Sequence, residues 1–293
     1  MRAGLAPAVT GARVASVTVY DERSLRRHAG PSEDFIDLLA GRTMCEPRRR
    51  GKFLWIPLAP LIDPATSLIE LGRDPAALVV HLGMSGQVLL RDRTTDDALT
   101  RIRIELESPE HGSLRLNFVD QRIFGSMAID RLVLTADHPV ELVPSQVAHI
   151  ARDPIDELFD EKLFFARLTR KNTTIKRALL DQTLISGIGN IYADESLWGA
   201  KIHYEQPTAT LSRARATLLL AEVRAVLAQA LSEGGTSFDS QYLNVNGQSG
   251  YFAHSLKVYG QQGRDCPRCG RPVVREQFMN RGSHFCPWCQ RLR

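Results

Sequence analysis

The stretch "CPRCGRPVVREQFMNRGSHFCPWC", residues 266–289, holds four of the five cysteines of this chain in two Cys-x-x-Cys pairs. Two such pairs, with 16 residues between them, have the ligand number and spacing of a tetrahedral zinc site. We expect Cys266, Cys269, Cys286 and Cys289 to bind one structural zinc ion, because four thiolates leave no open position for catalysis. About 30 residues cannot bury a sufficient core, so metal binding is expected to fold this segment into a β-hairpin.

Positive charge is concentrated around these cysteines. From residue 260 to residue 293 the chain has seven arginines against Asp265 and Glu276, whereas the net charge of the whole chain is only +4. A local basic surface can neutralise phosphates and bind a polyanion, although basic residues also serve solubility. Arg281 lies in the turn-like "MNRGS", where its guanidinium could reach a phosphate or a base, or could be solvated.

Length and composition exclude several classes of protein. With 293 residues, of which 43% are apolar, the chain is long enough for two domains with cores of their own. It has no apolar run near the roughly 20 residues of a membrane helix and no secretory signal, so we expect a cytoplasmic protein without a membrane partner. In a reducing compartment the paired cysteines are expected to be ligands rather than disulfides, and Cys45 a small buried residue.

The apolar pattern divides the chain into a strand-rich part and a helical part. Six short β-branched and aromatic runs precede residue 150 and predict a sandwich or barrel: "ARVASVTVY", "KFLWIPL", "ALVVHL", "SGQVLL", "RIRIEL" and "LRLNFV". Helical spacing follows in residues 161–169, 174–180, 191–198 and 212–231, the last ending at Gly234-Gly235. The boundary is expected between residues 145 and 158, which makes the fold α+β.

A glycine-containing turn precedes the third of these helices. In "SGIGNIYADES", residues 186–196, the backbone N–H groups of Gly187, Gly189 and Asn190 could point outward as an anion site. An ordinary connection between two helices is the alternative. The basic residues of "RLTRKNTTIKR", among them Lys176, lie just upstream and favour a phosphate site.

Two further turns carry apolar side chains. "HLGMSGQ" places Met84 between two glycines, and "DQRIFG" places Arg122 and Phe124 in a second turn. Both could be hairpin turns with core-facing Met and Phe, or together a wedge that enters a base stack. Lys52, in "RRRGKFLW", is either a solvated lysine at a strand edge or part of a site.

In their order and spacing these stretches resemble the formamidopyrimidine-DNA glycosylase family. The resemblance rests on "RRRGKFLW", "HLGMSGQ", "DQRIFG", "TTIK", "SGIGNIYADESL", "GGTS", "GYFAHSLKVYG" and the four-cysteine hairpin, and it covers most of the chain. It implies an N-terminal β-sandwich (residues 1–150, lacking its first residues), a helix-two-turn-helix DNA-binding domain with a lesion loop (151–258) and a zinc hairpin (259–293). The related endonuclease VIII lacks "HLGMSG" and the lesion loop, so the branch that acts on oxidised purines fits better.

The resemblance also implies roles for individual residues. Met84, Arg122 and Phe124 would fill the gap left by an everted nucleotide, which reverses the reading as core-facing turns. The remaining implied residues comprise DNA contacts (His81, Lys176, Asn190), catalytic groups (Lys52, Arg281, the latter also holding phosphate) and the lesion loop (Asn246, Gly247, Gly250, Tyr251, Phe252). The zinc hairpin would then aim Arg281.

One departure concerns the start of the sequence. The family opens with "PELPEVE", whose terminal proline supplies a secondary amine for Schiff-base formation and whose glutamate assists proton transfer, whereas this sequence starts "MRAGLAPAVTG". Pro7 is internal and cannot present such an amine. Either the start has been assigned eight or nine residues late, which we favour, or the chain has lost its nucleophile, in which case Lys52 could still support weak strand cleavage.

Three hypotheses of function follow. The first is a DNA glycosylase and abasic-site lyase of base-excision repair that excises 8-oxoguanine and formamidopyrimidines and nicks the strand by β,δ-elimination. The second is a catalytically impaired protein that binds damaged DNA, and the third a zinc-dependent transcription regulator, against which the wedge residues argue. The partner in the first two is double-stranded DNA with oxidised bases or abasic sites, and the chain is expected to act as a monomer.

Overall fold

The structure, a computed structural model, describes residues 1–59, 75–234 and 252–293. These residues belong to two compact units. The first unit contains residues 1–149, and the second contains residues 150–234 and 252–293. The boundary at 149/150 lies inside the range expected from the sequence. The helices and the cysteine hairpin share one unit, and the division into three domains stays a prediction.

The first unit consists of ten strands and two helices. The helices are α1 (Arg2–Val9) and α2 (Ser32–Leu39). The strands are β1 (Arg13–Val19), β2 (Thr43–Met44), β3 (Arg48–Arg50), β4 (Phe53–Ala59), β5 (Ala76–His81), β6 (Gly86–Arg91), β7 (Thr100–Ser108), β8 (Gly112–Asp120), β9 (Ser126–Leu134) and β10 (Leu142–Pro144). All six runs read as strands in the sequence are strands.

These strands form one hydrogen-bonded sheet in the order β10-β9-β5-β4-β2-β1-β7-β8-β6, with β3 paired to β4. Side chains alternate across a strand, so every second residue of β4 and of β7 faces the same side. Both series enter one core, in which Ile56 of β4 and Ile104 of β7 are buried, and Phe35 of α2 is buried with them. Because both halves of the sheet contribute to a single core, the sheet folds over itself as the predicted sandwich.

The second unit has four helices and one hairpin. The helices are α3 (Glu161–Arg170), α4 (Ile175–Leu180), α5 (Asn190–Gly199) and α6 (Arg213–Ser232), and the hairpin strands are β11 (Val274–Phe278) and β12 (Arg281–Phe285). Asp160 begins α3 by accepting a hydrogen bond from the Leu163 N–H, and Gly234, at a φ of +75°, follows the end of α6. All four helices agree with the sequence prediction to within one residue at each end.

The hairpin packs on the helices. Phe278 and Phe285 belong to the same buried cluster as Leu179 of α4 and Leu197 of α5. The hairpin therefore shares a core with the helices instead of relying on a core of its own. Among the described residues, no helix combines the length and apolarity required to cross a membrane.

Candidate functional site

In the first unit, the β5–β6 turn and the β8–β9 turn are fastened to each other by Asp120. Its buried carboxylate accepts hydrogen bonds from the backbone N–H of Arg122 (3.2 Å) and of Gly125 (2.6 Å), and also from the hydroxyl of Ser85 in the other turn. Gly83 has a φ of +62°, and a Cβ at this position would overlap the Phe124 carbonyl. The two turns consequently form one rigid assembly.

This assembly presents the three predicted wedge residues to solvent. Met84 is 66% exposed and Phe124 is 40% exposed, although both are large apolar side chains. The Arg122 guanidinium lies 4.7 Å from the centroid of the Phe124 ring, within the range of a cation–π contact. Neither apolar side chain faces the core, which disagrees with the reading as ordinary hairpin turns.

Arg26 supports the second turn from a short 3-10 helix, Glu22–Leu25, and the residue after it. Its guanidinium donates to the carbonyl oxygens of Ile123 (3.0 Å) and Phe124. Ile123 has a φ of +55°, a conformation that is uncommon for a β-branched residue. The two hydrogen bonds stabilise that conformation and so orient Phe124. The sequence gave no indication of this role, because Arg26 lies 97 residues from Ile123.

His81, at the end of β5, lies beside a second group of basic residues. Its ring packs edge-on against Phe53, with 4.8 Å between centroids. Burial lowers the pKa of His81 to about 4, and the charges of Arg27 and Lys52 add to the shift. Nδ1 accepts the Gly83 N–H at 3.1 Å, so the neutral ring carries its proton on Nε2. Lys52 is exposed in the turn before β4.

In the second unit, the turn before α5 is organised by Gln182. Its Nε2 donates to the carbonyl oxygens of Leu180 (3.1 Å) and Ile188 (3.0 Å), and its Oε1 accepts the Gly187 N–H (3.1 Å). The Gly187 N–H therefore does not point outward as an anion donor, which corrects the expectation from the glycine pattern. Gly189 precedes the first residue of α5, Asn190.

Asn190 and Lys176 converge on one carbonyl oxygen of the hairpin. Asn190 Nδ2 donates to the Gly282 oxygen at 3.0 Å, and Lys176 Nζ lies 3.4 Å from the same atom. Gly282 directly follows Arg281, an exposed residue at the start of β12. Two predicted site residues thus hold the backbone next to a third.

Lys176 is enclosed completely. Its ammonium forms a salt bridge with Asp194 (2.6 Å to Oδ1) and donates to the Ser283 hydroxyl (2.9 Å), and its side chain has no exposed surface. Burial lowers the pKa of Lys176, and the Asp194 carboxylate opposes this shift. Asp194 also accepts the His284 N–H at 2.8 Å, so one carboxylate joins α4, α5 and β12.

Glu195, the next residue of α5, binds the segment that follows residue 252. Its carboxylate accepts three backbone N–H groups, from Lys257 and Val258 (both 2.9 Å) and Tyr259 (2.8 Å). Burial raises the pKa of Glu195, and these hydrogen bonds counteract the rise. Two adjacent acidic residues in the buried part of a helix were the available sequence signal for Asp194 and Glu195.

Of the lesion-loop residues, Asn246, Gly247, Gly250 and Tyr251 lie outside the described residues. Phe252 begins a short 3-10 helix, Phe252–Ser255, and is buried. Its ring lies 5.7 Å from that of Tyr192 on α5.

The four cysteines of the hairpin lie together and fit a zinc ion. Their sulfur atoms are all within 4.8 Å of one another, and Cys269 Sγ is 3.5 Å from Cys286 Sγ. Tetrahedral zinc with bonds of about 2.3 Å separates its sulfur ligands by about 3.8 Å, close to these distances. Tight turns after Cys266 and Cys286 direct the sulfurs inward, the second closed by the Gln290 side chain on the Cys286 N–H (2.9 Å). The site takes one structural zinc ion, as predicted.

Three family models match the chain. A formamidopyrimidine-DNA glycosylase N-terminal domain matches residues 1–127, a formamidopyrimidine-DNA glycosylase H2TH domain matches residues 150–241, and a zinc finger found in FPG and IleRS matches residues 265–292. Together they account for most of the chain, in the order expected from the sequence motifs.

Complete relatives agree with these matches. A formamidopyrimidine-DNA glycosylase of Leifsonia xyli is 59% identical over 300 residues, covering 100% of this chain and 97% of the relative. Three solved structures of Lactococcus lactis Fpg are 29% identical, each covering 99% of this chain and 96% of the other. They are complexes with DNA that contains Fapy-dG (TM-score 0.79), an abasic site (0.78) or an oxidised pyrimidine (0.78).

Proposed function

Because this chain belongs to the formamidopyrimidine-DNA glycosylase family, we propose that it excises oxidised purines, 8-oxoguanine and formamidopyrimidines, from DNA and then nicks the abasic strand. The coarser assignment, a DNA glycosylase of base-excision repair, follows from the family. The observation that carries the finer proposal is the pair of fastened turns that exposes Met84, Arg122 and Phe124.

The fastened turns support a mechanism in which the target nucleotide leaves the duplex. A base inside the stack is inaccessible to chemistry at C1′, and extruding it costs a few kcal/mol of stacking and pairing. Apolar side chains inserted between base steps offset part of this cost, provided that they do not collapse onto the protein surface. Asp120 and Gly83 prevent such a collapse, since they fix the backbone of both turns.

The second unit supplies groups for phosphates near the extruded nucleotide. Arg281 is exposed, and it is placed by the adjacent Gly282 carbonyl, which Asn190 and Lys176 hold. An exposed guanidinium offers a forked set of donors that fits phosphate oxygens. Lys176, being enclosed, contributes in this proposal by fixing the hairpin, and Arg281 makes the direct contact.

The chemical steps require an unprotonated amine next to C1′. An amine can displace the base, form a Schiff base with the sugar and so permit β- and then δ-elimination. In this proposal Lys52, exposed near His81, transfers protons at the sugar and Arg281 assists at the phosphate. The amine nucleophile belongs to the family segment "PELPEVE", so the two accounts of the N-terminus lead to different activities. The DNA substrate would place the protein in the bacterial cytoplasm.

One experiment tests the proposal. Protein beginning at Met1 and protein beginning with the "PELPEVE" segment are each incubated with a labelled duplex that has one 8-oxoguanine opposite cytosine, with undamaged duplex as control. Base release, strand nicking and borohydride trapping of a covalent complex are measured. The proposal requires that at least the longer form releases the base and is trapped. If both forms shift the damaged duplex in a gel and neither releases base, the chain is a binder of damaged DNA and the proposal is wrong.

A further inference from the structure

The C-terminal end of α5 meets the first cysteine pair of the zinc site. Trp198, the penultimate residue of the helix, packs against the small buried cluster that contains Cys266 and Cys286. Its indole Nε1 lies 3.4 Å from Cys266 Sγ and donates a hydrogen bond to that sulfur. An indole N–H can only donate, so this contact uses the whole hydrogen-bonding capacity of the side chain.

Arg268, between the two cysteines of the first pair, returns the contact. Its guanidinium stacks 4.0 Å from the Trp198 ring centroid. The same group donates to the carbonyl oxygens of Trp198 (2.9 Å) and Gly199 (3.3 Å). The last carbonyls of a helix lack partners within the helix, and a positive charge there is favourable. The helix thus donates to a zinc ligand, and the zinc-binding turn caps the helix.

The hydrogen bond has a direct consequence for the metal. A donor to a thiolate sulfur withdraws charge from it and fixes its orientation, and partners of this kind commonly change metal affinity by about 10–100-fold when removed. Trp198 belongs to a helix and lies 68 residues from Cys266 in the chain. The zinc site is therefore completed by a group from outside the cysteine hairpin.

We propose that Trp198 is a positioning residue for the zinc ion, and that its indole N–H couples retention of the metal to helix α5. The helix begins at Asn190, whose side chain holds the Gly282 carbonyl. Ten helical residues span about 15 Å, so α5 connects the zinc end of the hairpin with the Arg281 end. The inference concerns metal binding and stands whether or not the proposed glycosylase activity is found.

The test compares two tryptophan substitutions in the full-length, zinc-loaded protein. Trp198→Phe keeps an aromatic ring beneath Arg268 and removes the N–H. Trp288→Phe is the matched control, because Trp288 lies between Cys286 and Cys289, is 50% exposed and stacks with Arg271 at 3.4 Å. Zinc release to a chromogenic chelator is expected to be at least about tenfold faster in Trp198→Phe than in the wild type, and unchanged in Trp288→Phe.

A spectroscopic measurement separates the hydrogen bond from simple packing. Cobalt(II) is exchanged for zinc, and the sulfur-to-cobalt charge-transfer band is recorded for all three proteins. Loss of a donor makes the sulfur more electron-rich, so the band of Trp198→Phe is expected at lower energy, with Trp288→Phe at the wild-type position. Unchanged zinc release in Trp198→Phe would overturn the proposal. Faster release with an unmoved band would also overturn it, because the ring would then act only by filling space.

Discussion

Lys176 and Asp194 form a salt bridge with 2.6 Å between Nζ and Oδ1, and the two side chains are 0% and 1% exposed. Replacing Asp194 by Asn leaves a buried ammonium without its counter-charge. We expect Asp194→Asn to lower the free energy of unfolding by about 3–5 kcal/mol. Glu161→Gln is the control, since the Glu161–Arg224 pair is 45% and 39% exposed and its loss should cost less than about 1 kcal/mol. Urea denaturation measures both, and equal losses would contradict the role of burial.

Gly83 and Gly112 permit a controlled test of the fastened turns. Both have positive φ, at +62° and +66°, but a Cβ at Gly83 would overlap the Phe124 carbonyl, whereas a Cβ at Gly112 meets nothing within 4 Å. Gly112→Ala should therefore show backbone strain alone, about 1–2 kcal/mol. Gly83→Ala should cost clearly more and should also weaken binding to damaged DNA. Equal thermal destabilisation of the two variants would show that the turns can separate freely.

Met84 should matter for excision and hardly at all for folding. Its side chain is 66% exposed, so Met84→Ala should change the unfolding free energy by less than about 0.5 kcal/mol. In a form of the protein that excises 8-oxoguanine, the excision rate should fall at least about tenfold, with a smaller effect on binding to undamaged duplex. Leu134→Ala, at a residue 63% exposed on β9, is the control. Equal losses of excision and nonspecific binding would refute the wedge role.

Zinc binding and DNA binding should be lost together. Cys286 is fully buried in the sulfur cluster, and Cys286→Ser removes one of four ligands. We expect loss of zinc, unfolding of the hairpin and weaker DNA binding, because Arg281 is part of the same hairpin. Cys45→Ser, outside the cluster, should retain zinc. Zinc content and gel-shift affinity are measured in parallel, and lost zinc with unchanged affinity would separate the two functions.

His81 should make the first unit sensitive to acid. Its pKa is about 4 in the folded chain against 6.5 for a free histidine, so the unfolded chain binds more protons between these values. The free energy of unfolding should then fall as the pH drops from about 6.5 to about 4 and should owe nothing to His81 titration above that window. His81→Gln should show a shallower decline in urea denaturation at several pH values. Identical slopes in the two proteins would assign the acid sensitivity to other groups.

Local sequence patterns predicted the elements of this fold well. Helices α3 to α6 follow apolar residues at intervals of three to four, and six strands follow β-branched runs, because these signals arise within each segment. β9 (Ser126–Leu134) and the two N-terminal helices were not predicted. The strand is buried only in its first half, so its pattern mixes two environments.

The contacts that position the candidate site could not be predicted in the same way. The spacing of the four cysteines indicated zinc because all ligands lie in one short segment. In contrast, Lys176 meets Ser283 across 107 residues, and Asp120 meets Ser85 across 35. A basic side chain in a basic stretch favours an exposed phosphate contact, and only the fold reveals that Asp194 encloses Lys176.

The strand order has a consequence for synthesis of the protein on the ribosome. β1 is the first strand in the chain, yet it lies between β2 and β7, with Val17 paired to Ile104. At about 5–20 residues per second, the ribosome needs roughly 4–17 s to make the intervening chain, during which one edge of β1 has no partner. An unpaired apolar strand edge invites association with other chains. Nascent chains of this protein are therefore expected to need chaperone protection until β7 has emerged, whereas the helices of the second unit pair with near neighbours.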